Sequence, residues 1–272
     1  MGNVMTVAHL TLVEARRRRI VLAGTLCALA LLTVFSIGAV FAARATVSFV
    51  ERQMTLTMMM LVGFMAANFL SVVFAILLPV DTLSGEIDSG VMQTLASKPM
   101  DRAEIVLGKW AGHLLLALAY LLLMSGGILL AMRVLAGFVP AGVGHAVPLL
   151  MLEIAVSLTV AVAGGARFST VTNGIVAIGF YALAFIGGFV EQIGVFVGLP
   201  PLKTIGVLVS LVSPADSMWR LAAHYLQPDI LRGSGALALD GSVPTPLMVW
   251  WAAGFTAFTL AYAIHAFRKR AL

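Results

Sequence analysis

Charge is scarce in this sequence. Asp, Glu, Lys and Arg make up 11% of its 272 residues, 61% of the residues are hydrophobic, and the mean hydropathy is +1.04. A soluble domain of ordinary composition carries about 25% charged residues. The sequence also lacks any long polar stretch that could belong to a second, soluble core. These deficits argue against a soluble protein and indicate a single transmembrane domain over residues 1–272.

Residues with catalytic or metal-binding chemistry are also few. The single cysteine, Cys27, excludes an intrachain disulfide, and the five histidines include no pair at the spacing of zinc ligands. Gly85 and Gly90 have the glycine spacing of a P-loop, but the Lys and the Ser or Thr that should follow are absent. We therefore expect no catalytic residue, no metal site and no cofactor in this chain. The methionine-rich run at 54–60 is read either as a soft-metal site or as ordinary apolar filling.

Long uncharged stretches dominate the sequence instead. Five intervals of at least 23 residues contain no Asp, Glu, Lys or Arg, and a sixth, 146–166, contains only Glu153. About 20 apolar residues are enough to cross a bilayer as an α-helix. The sequence therefore predicts an all-α integral membrane protein with six transmembrane helices. We expect these spans at about 20–43, 55–80, 104–132, 146–166, 169–190 and 246–267.

The cations are distributed unevenly between the two sides that six spans would create. With the N-terminus in the cytoplasm, eleven Lys and Arg residues lie on the inner side and six on the outer side. Cytoplasmic segments of membrane proteins carry the excess of Lys and Arg. We therefore expect both termini to be cytoplasmic. The net charge of +5 then reflects orientation in the membrane rather than binding to nucleic acid.

The residues before the first span have an amphipathic pattern. Within 3–19, apolar side chains recur at helical spacing and predict one apolar face, formed by Met5, Ala8, Leu12 and Ala15. A basic end follows, where it can meet acidic head groups of the inner leaflet. That end consists of Arg16, Arg17, Arg18 and Arg19. This helix is either a topology anchor or also a surface for a cytoplasmic partner.

A short segment between the second and third spans gathers charge. Residues 81–109 hold 8 of the chain's 29 Asp, Glu, Lys and Arg residues. Apolar residues at 87, 91, 92 and 95 predict one face of a short helix, which Pro99 ends because proline cannot continue the hydrogen-bond ladder. Asp101 and Glu104 have the spacing of a capping box and predict the start of the third helix. We therefore expect a cytoplasmic elbow at 81–103, hereafter the elbow, which suits docking to another protein better than a plain loop.

The segment before the last span, 191–245, is predicted to lie on the outer side. Two apolar pieces within 191–212 are separated by a Pro-Pro pair, and each is too short to cross a bilayer. A further helix is expected after Ser213 as its N-cap, with Trp219 suited to the membrane–water boundary. These pieces are predicted to be re-entrant or interfacial helices.

Glu153 is the one acidic residue that this interpretation places inside a span. It lies about seven residues, or roughly 10 Å, from the outer end of its helix. Burying a carboxylate in lipid is costly, so we expect its side chain to face protein or a water-filled cavity. A structural hydrogen bond and a role in the translocation path both remain open.

The elbow and its flanks carry a recognisable motif. The stretch "GEIDSGVMQTLASKPMDRAEIVLGK" resembles the signature of ATP-binding cassette (ABC) transporter permeases of the ABC-2 type. Val91 and Asp101 stand where that family usually has threonine and serine. The stretch "VAHLTLVEARRRR" is similar to the family's opening helix, with Leu10 and Thr11 replacing its usual Lys-Glu pair. The matching positions of the signature are Gly85, Glu86, Gly90, Leu95, Pro99, Arg102, Ile105, Gly108 and Lys109.

The resemblance implies the permease subunit of an ATP-driven exporter. Two permease chains, more simply a homodimer, would pair in a bacterial or archaeal cytoplasmic membrane, and two separate ATPase subunits would bind ATP and Mg²⁺ beneath them. Residues 84–98 would be the coupling helix, seated in a groove of the ATPase. A narrower similarity is to the permeases of this family that serve copper-site maturation of nitrous oxide reductase. The implied ATPase-coupling residues are Gly85, Glu86, Gly90, Leu95, Pro99, Arg102 and Lys109.

Two alternative functions are weighed against this one. A secondary transporter or channel would need polar residues that converge near the middle of the bilayer, and only Glu153 stands out there. A membrane-embedded enzyme would need a nucleophile with a base, or a metal cluster, within the spans, and no such set is evident.

Overall fold

The computed structural model describes residues 2–16, 18–45, 48–82, 101–140, 142–228 and 243–269. Within these ranges the chain forms nine α-helices and no β-strand. The helices are α1 (Asn3–Ala15), α2 (Arg19–Ala45), α3 (Phe49–Leu77), α4 (Arg102–Ala136), α5 (Val143–Gly165), α6 (Thr170–Val197), α7 (Pro200–Val212), α8 (Ala215–Leu226) and α9 (Leu247–Lys269). Six of them, α2 to α6 and α9, are long and apolar enough to cross a membrane. The prediction of an all-α protein with six such helices is confirmed.

Contacts between helix ends define two ends of the bundle. At the first end, called the α1 end, Asn173 near the start of α6 donates a hydrogen bond to the Val80 carbonyl after α3, at 3.1 Å. At the opposite end, Arg52 in the first turn of α3 donates to the Ala136 carbonyl, the last of α4, at 2.9 Å. The α1 end also holds α1, the start of α4 and the end of α9.

Helices α3 and α5 form the centre of the bundle, and α2 and α9 lie on its outside. Most of the apolar window of α3 and of α5 is buried, whereas most of α2 and α9 is not. Long apolar side chains such as Leu26, Phe41 and Phe258 are therefore exposed along the outer helices. Exposed apolar rows of this length are expected on a surface that faces lipid or another apolar partner.

Helix α4 starts and ends where its sequence signals lie. The Asp101 carboxylate accepts the Ala103 N–H at 3.1 Å, and the Glu104 carboxylate accepts the Asp101 N–H at 3.1 Å. These bonds are the predicted capping box, which satisfies N–H groups that have no partner within the helix. Gly137 ends the helix in the left-handed conformation (φ 63°), which glycine adopts without steric penalty.

Helices α6 and α7 form an antiparallel hairpin. Helix α6 continues past 190, where the fifth span was expected to end, to Val197. The first apolar piece of 191–212 is therefore the last part of α6, and only the second piece, α7, is separate. A Cβ atom added at Gly194 would lie 2.6 Å from the backbone nitrogen of Lys203, and one added at Gly206 would lie 2.8 Å from the Gly187 carbonyl oxygen. These glycines let the two backbones touch.

Helix α8 returns from the hairpin to the opposite end of the bundle. The turn before it is fixed by Ser213, whose hydroxyl donates to the Phe180 carbonyl in the middle of α6, at 3.2 Å. Near the end of α8, the ring of Tyr225 stacks on His145 of α5, with ring centroids 5.2 Å apart. The N-cap is Pro214, one residue after the expected Ser213. Nearly every residue of α8 is buried, including Trp219, so burial favours an inserted helix over one that lies on a surface.

We expect Gly206→Ala to weaken the α6–α7 hairpin. The added methyl group would collide with Glu191 Cβ and the Gly187 carbonyl, and overpacking of this kind costs about 1–3 kcal/mol. The thermal midpoint of the detergent-purified protein should therefore fall. It is measured as the temperature that halves the monodisperse peak in size-exclusion chromatography. The matched control is Gly179→Ala on α6, where an added Cβ meets nothing within 4 Å. Equal midpoints for the two variants would contradict the close backbone contact.

Candidate functional site

The candidate site lies at the α1 end, around the two ends of the elbow. Residues 83–100 lie outside the described part of the chain, and with them five of the predicted coupling residues. These five are Gly85, Glu86, Gly90, Leu95 and Pro99. The two ends of the elbow, hereafter its flanks, are described: Asp81 and Thr82 at its start, and Asp101 and Arg102 near its end. The contacts of these flanks show how the elbow is attached to the bundle.

Arg18 holds the N-terminal flank of the elbow. Its guanidinium forms one ion pair with Glu14 of α1, with Nη2 2.6 Å from Oε1, and a second with the Asp81 carboxylate. Burial alone would raise the pKa of Glu14, but the hydrogen bond and charge of Arg18 outweigh it and lower that pKa. Glu14 is therefore ionised at neutral pH, and Arg18 joins α1 to the residue at which the elbow begins.

The basic run lies after α1 rather than in its last turns, which corrects the predicted helix over 3–19. Helix α1 ends at Ala15, and the chain turns there: the Arg18 N–H donates to the Ala15 carbonyl at 3.0 Å. Arg16 is exposed, Arg19 already begins α2, and Arg17 lies outside the described residues.

The buried face of α1 also differs from the predicted one. Of the four expected residues, Ala15 is buried and Ala8 and Leu12 are half-buried, but Met5 is 62% exposed. Val7 and Thr11, which were not expected on this face, are buried, so the covered face is rotated toward them. Spacing along the sequence identifies an apolar stripe, but the neighbouring helix decides which stripe is covered. In this protein that neighbour is α4.

Helix α1 packs against two glycines of α4. A Cβ added at Gly108 would lie 2.6 Å from Val7 Cβ and 2.9 Å from the Val4 carbonyl oxygen. One added at Gly112 would lie 2.9 Å from the Ala8 carbonyl oxygen. Glycines four residues apart form a flat strip on one helix face, which allows a second backbone to approach closely. α1 is thus seated directly on the first turns of α4.

Arg268 holds the C-terminal flank of the elbow. Its Nη2 lies 2.6 Å from Asp101 Oδ2, and its carbonyl accepts a hydrogen bond from Arg102 Nη1 at 3.1 Å. The hydrogen bond from the Ala103 N–H, followed by that from Arg268, lowers the pKa of Asp101. The end of α9 is therefore tied to the residue at which α4 begins. The predicted coupling residue Arg102 takes part in this junction.

Lys109, the last predicted coupling residue, is buried beneath α1 and is not on the surface. Its carbonyl accepts a hydrogen bond from His113 Nδ1 at 2.8 Å. The other ring nitrogen, Nε2, lies 3.3 Å from the hydroxyl of Thr82, the second residue of the elbow. His113 is thus a buried, hydrogen-bonded residue that connects α4 to the end of α3.

Glu153 is fully buried in α5, far along the chain from the elbow. Its Oε2 accepts a hydrogen bond from Asn68 Nδ2 of α3 at 3.0 Å. This bond agrees with the structural alternative that the sequence left open. A role in the translocation path is not decided by it.

A buried ionic cluster was missed by sequence reasoning. Arg220 of α8 lies 3.0 Å from Glu191 Oε2 of α6 and 2.9 Å from Asp216 Oδ2 of its own helix. Arg220 is one of the six cations that the charge count places on the outer side, but its side chain is buried within the bundle and does not face solvent. The one local signal was the spacing of four residues between Asp216 and Arg220, at which helical side chains meet.

Six long apolar helices, with charged residues gathered at their ends, define a multi-pass membrane protein. A protein family described as ABC-2 family transporter proteins matches residues 5–272, and the chain belongs to this family. It is similar to the probable ABC transporter permease protein NosY of Stutzerimonas stutzeri, with 29% identity over 235 residues. The similarity covers 75% of this chain and 77% of that relative. The family makes this chain a permease, the membrane component of an ABC transporter.

We expect Gly108→Ala to loosen α1 from α4. The added methyl group would press on Val7 and on the Val4 carbonyl. Hydrogen–deuterium exchange of the amides in 3–15 should become about tenfold faster, as expected for a loss of about 1.4 kcal/mol of local stability. Gly126→Ala, on the same helix but with open space around the added atom, is the control and should leave this exchange unchanged. Unchanged exchange in Gly108→Ala would contradict the seating of α1 on α4.

Proposed function

We propose that this chain is the transmembrane subunit of an ATP-driven exporter, and that it works as a homodimer with two separate ATPase subunits bound to the elbow. One observation carries the proposal: the two flanks of the elbow are attached to different parts of the bundle by ion pairs. Asp81 binds Arg18 beside α1, and Asp101 binds Arg268 at the end of α9. A force applied to the elbow would therefore reach several helices at once.

The proposed mechanism transmits motion from the ATPases through these junctions. Binding of ATP would bring the two ATPase subunits together and displace the elbow of each permease. The start of α4 would carry α1 with it, because α1 is seated on Gly108 and Gly112. It would carry the end of α9 through Arg268. A shift of packed helices as rigid units can switch the access of a central path from one side to the other.

The orientation in this proposal places the α1 end in the cytoplasm. Cytoplasmic ends of spans are enriched in Lys and Arg. The described cations at the α1 end are Arg16, Arg18, Arg19, Arg102, Lys109, Arg167, Arg268 and Lys269. Those in the opposite half are Arg44, Arg52, Arg133, Lys203 and Arg220. This excess supports an α1 end that meets a soluble ATPase, and a location in the cytoplasmic membrane of a bacterium or an archaeon.

Helices α7 and α8 and the turn at Ser213 between them, hereafter the α7–α8 hairpin, would be re-entrant in this orientation. It would enter from the outer side, turn beside Phe180 in the middle of α6, and leave on the same side. Neither helix is long enough to cross a bilayer alone. The hairpin would thus narrow the outer half of the bundle, where a substrate must leave.

Co-expression with an ATPase tests the proposal. A P-loop ATPase encoded beside this chain should co-purify with it, and ATP hydrolysis by the complex in proteoliposomes should drive efflux.

A secondary transporter remains the second candidate, because the buried carboxylates Glu153, Glu191 and Asp216 supply polar groups inside the bundle. Substrate movement that needs an ion gradient but no ATPase would favour that alternative and contradict the proposal.

We expect Arg102→Glu to disrupt coupling without preventing membrane insertion. The new carboxylate would repel Asp101 and Glu104 and would lose the bond to the Arg268 carbonyl. ATP-driven transport should fall by about tenfold or more, which corresponds to about 1.4 kcal/mol at this junction. Charge reversal of Glu86 within the elbow should weaken co-purification of the ATPase.

Arg133→Glu provides the matched control for Arg102→Glu. Arg133 is an exposed cation on the same helix, at the opposite end of the bundle. Its reversal should leave both ATPase binding and transport near the level of the unaltered protein. If transport by Arg102→Glu and Glu86→Arg also stayed at that level, the elbow would have no coupling role.

A further inference from the structure

We propose that the cavity between α3, α6 and α8 binds a compact organic cation, an ammonium group on an apolar body. The inference names a substrate class for the proposed exporter, and it rests on the proposed function only for transport of the bound cation. Binding itself can be measured on this chain alone.

Four of the eight residues that line the cavity are aromatic. It has a volume of about 220 Å³, and the rings that line it are those of Phe69, Tyr181, Phe185 and Trp219. Aromatic faces carry negative charge density and attract cations, most strongly where water is excluded. The volume is below the roughly 300–1,000 Å³ of sites for drug-sized ligands, so a compact ligand fits better.

The polar part of the wall carries an acceptor that has no hydrogen-bond partner among the described residues. Asn68 and Asp216 line the cavity. The Asn68 amide donates one of its two hydrogens to Glu153 behind it, while Asn68 Oδ1 has no hydrogen-bond partner among the described residues. Glu153 Oε1 likewise has no partner there, although both side chains are at most 2% exposed. Buried acceptors of this kind are rare unless a ligand, a proton or water meets them.

Charge balance favours a positively charged ligand. Among the described residues, Arg220 pairs with two carboxylates, those of Asp216 and Glu191. Glu153 has the neutral Asn68 amide as its hydrogen-bond partner, and it feels the like charge of Asp216. A buried carboxylate without a compensating charge is strongly unfavourable, so a cation in the adjoining cavity would be stabilised by Glu153 and by Asp216.

The ligand set favours an organic cation over a metal ion. Among the described residues, no group of three or more His, Cys, Asp or Glu side chains is arranged to hold a metal. Apolar atoms, including those of the four rings, form most of the wall, and they suit the apolar part of an organic ammonium ion. Phe69 is 51% exposed and Phe185 is 48% exposed, so the cavity opens to the surface of the bundle between α3 and α6.

Binding of benzyltrimethylammonium to the purified full chain in lipid nanodiscs tests the inference. The radiolabelled cation should bind saturably. Glu153→Gln removes the buried negative charge at nearly constant shape, and Trp219→Leu removes one ring. Each should raise the dissociation constant by about tenfold, in the range expected for loss of a desolvated charge or of a cation–π contact. The matched controls are Glu51→Gln and Trp250→Leu, two exposed positions at which affinity should not change.

A neutral competitor separates charge from shape. Neopentylbenzene has the shape of the probe with carbon in place of nitrogen, and it should not displace the bound cation. Equal competition by it, no saturable binding, or the same affinity in Trp219→Leu and Trp250→Leu would each overturn the inference. The Trp219 variant decides the matter if Glu153→Gln does not fold. Loss of binding with intact ATPase association would refute only this inference, whereas lack of ATPase association would refute the proposed function.

Discussion

The direct contact of α1 with α4 is the constraint on which the α1 end depends. Because Gly108 and Gly112 have no side chains, the α1 backbone lies on α4, and this position places Glu14 at the point where the chain turns. Glu14 in turn orients Arg18 toward Asp81, the residue at which the elbow begins. A contact between two helices far apart in sequence thus sets the position of one flank of the elbow.

The other flank is set by local chemistry together with one distant partner. Asp101 would cap α4 in any context, because the capping box needs only residues within one turn. Its ion pair with Arg268 brings in the last helix of the chain. The two flanks therefore meet different helices, and the elbow is the part of the chain where movements of both would be combined.

Local sequence patterns predicted the helices, whereas contacts between residues far apart in sequence determined which helix faces are buried and which charges pair. Hydropathy and capping depend on neighbours in sequence, so the six apolar helices and the start of α4 at Arg102 could be predicted. The buried face of α1 could not, because glycines on α4 select Val7 rather than Met5. The burial of Arg220 was also missed, since its partner Glu191 lies on another helix and counting charges by side treats every cation as exposed.

The α7–α8 hairpin has a consequence for how the protein is made. Transfer of an unpaired arginine side chain into hydrocarbon has a large free-energy cost. For Arg220 this cost is offset when the side chain forms its ion pairs with Glu191 and Asp216. Both partners precede it along the chain, so the ribosome has already delivered them when Arg220 emerges. The α7–α8 hairpin could therefore dock while synthesis continues, and α9 would be added after Arg220 has met both of its carboxylate partners.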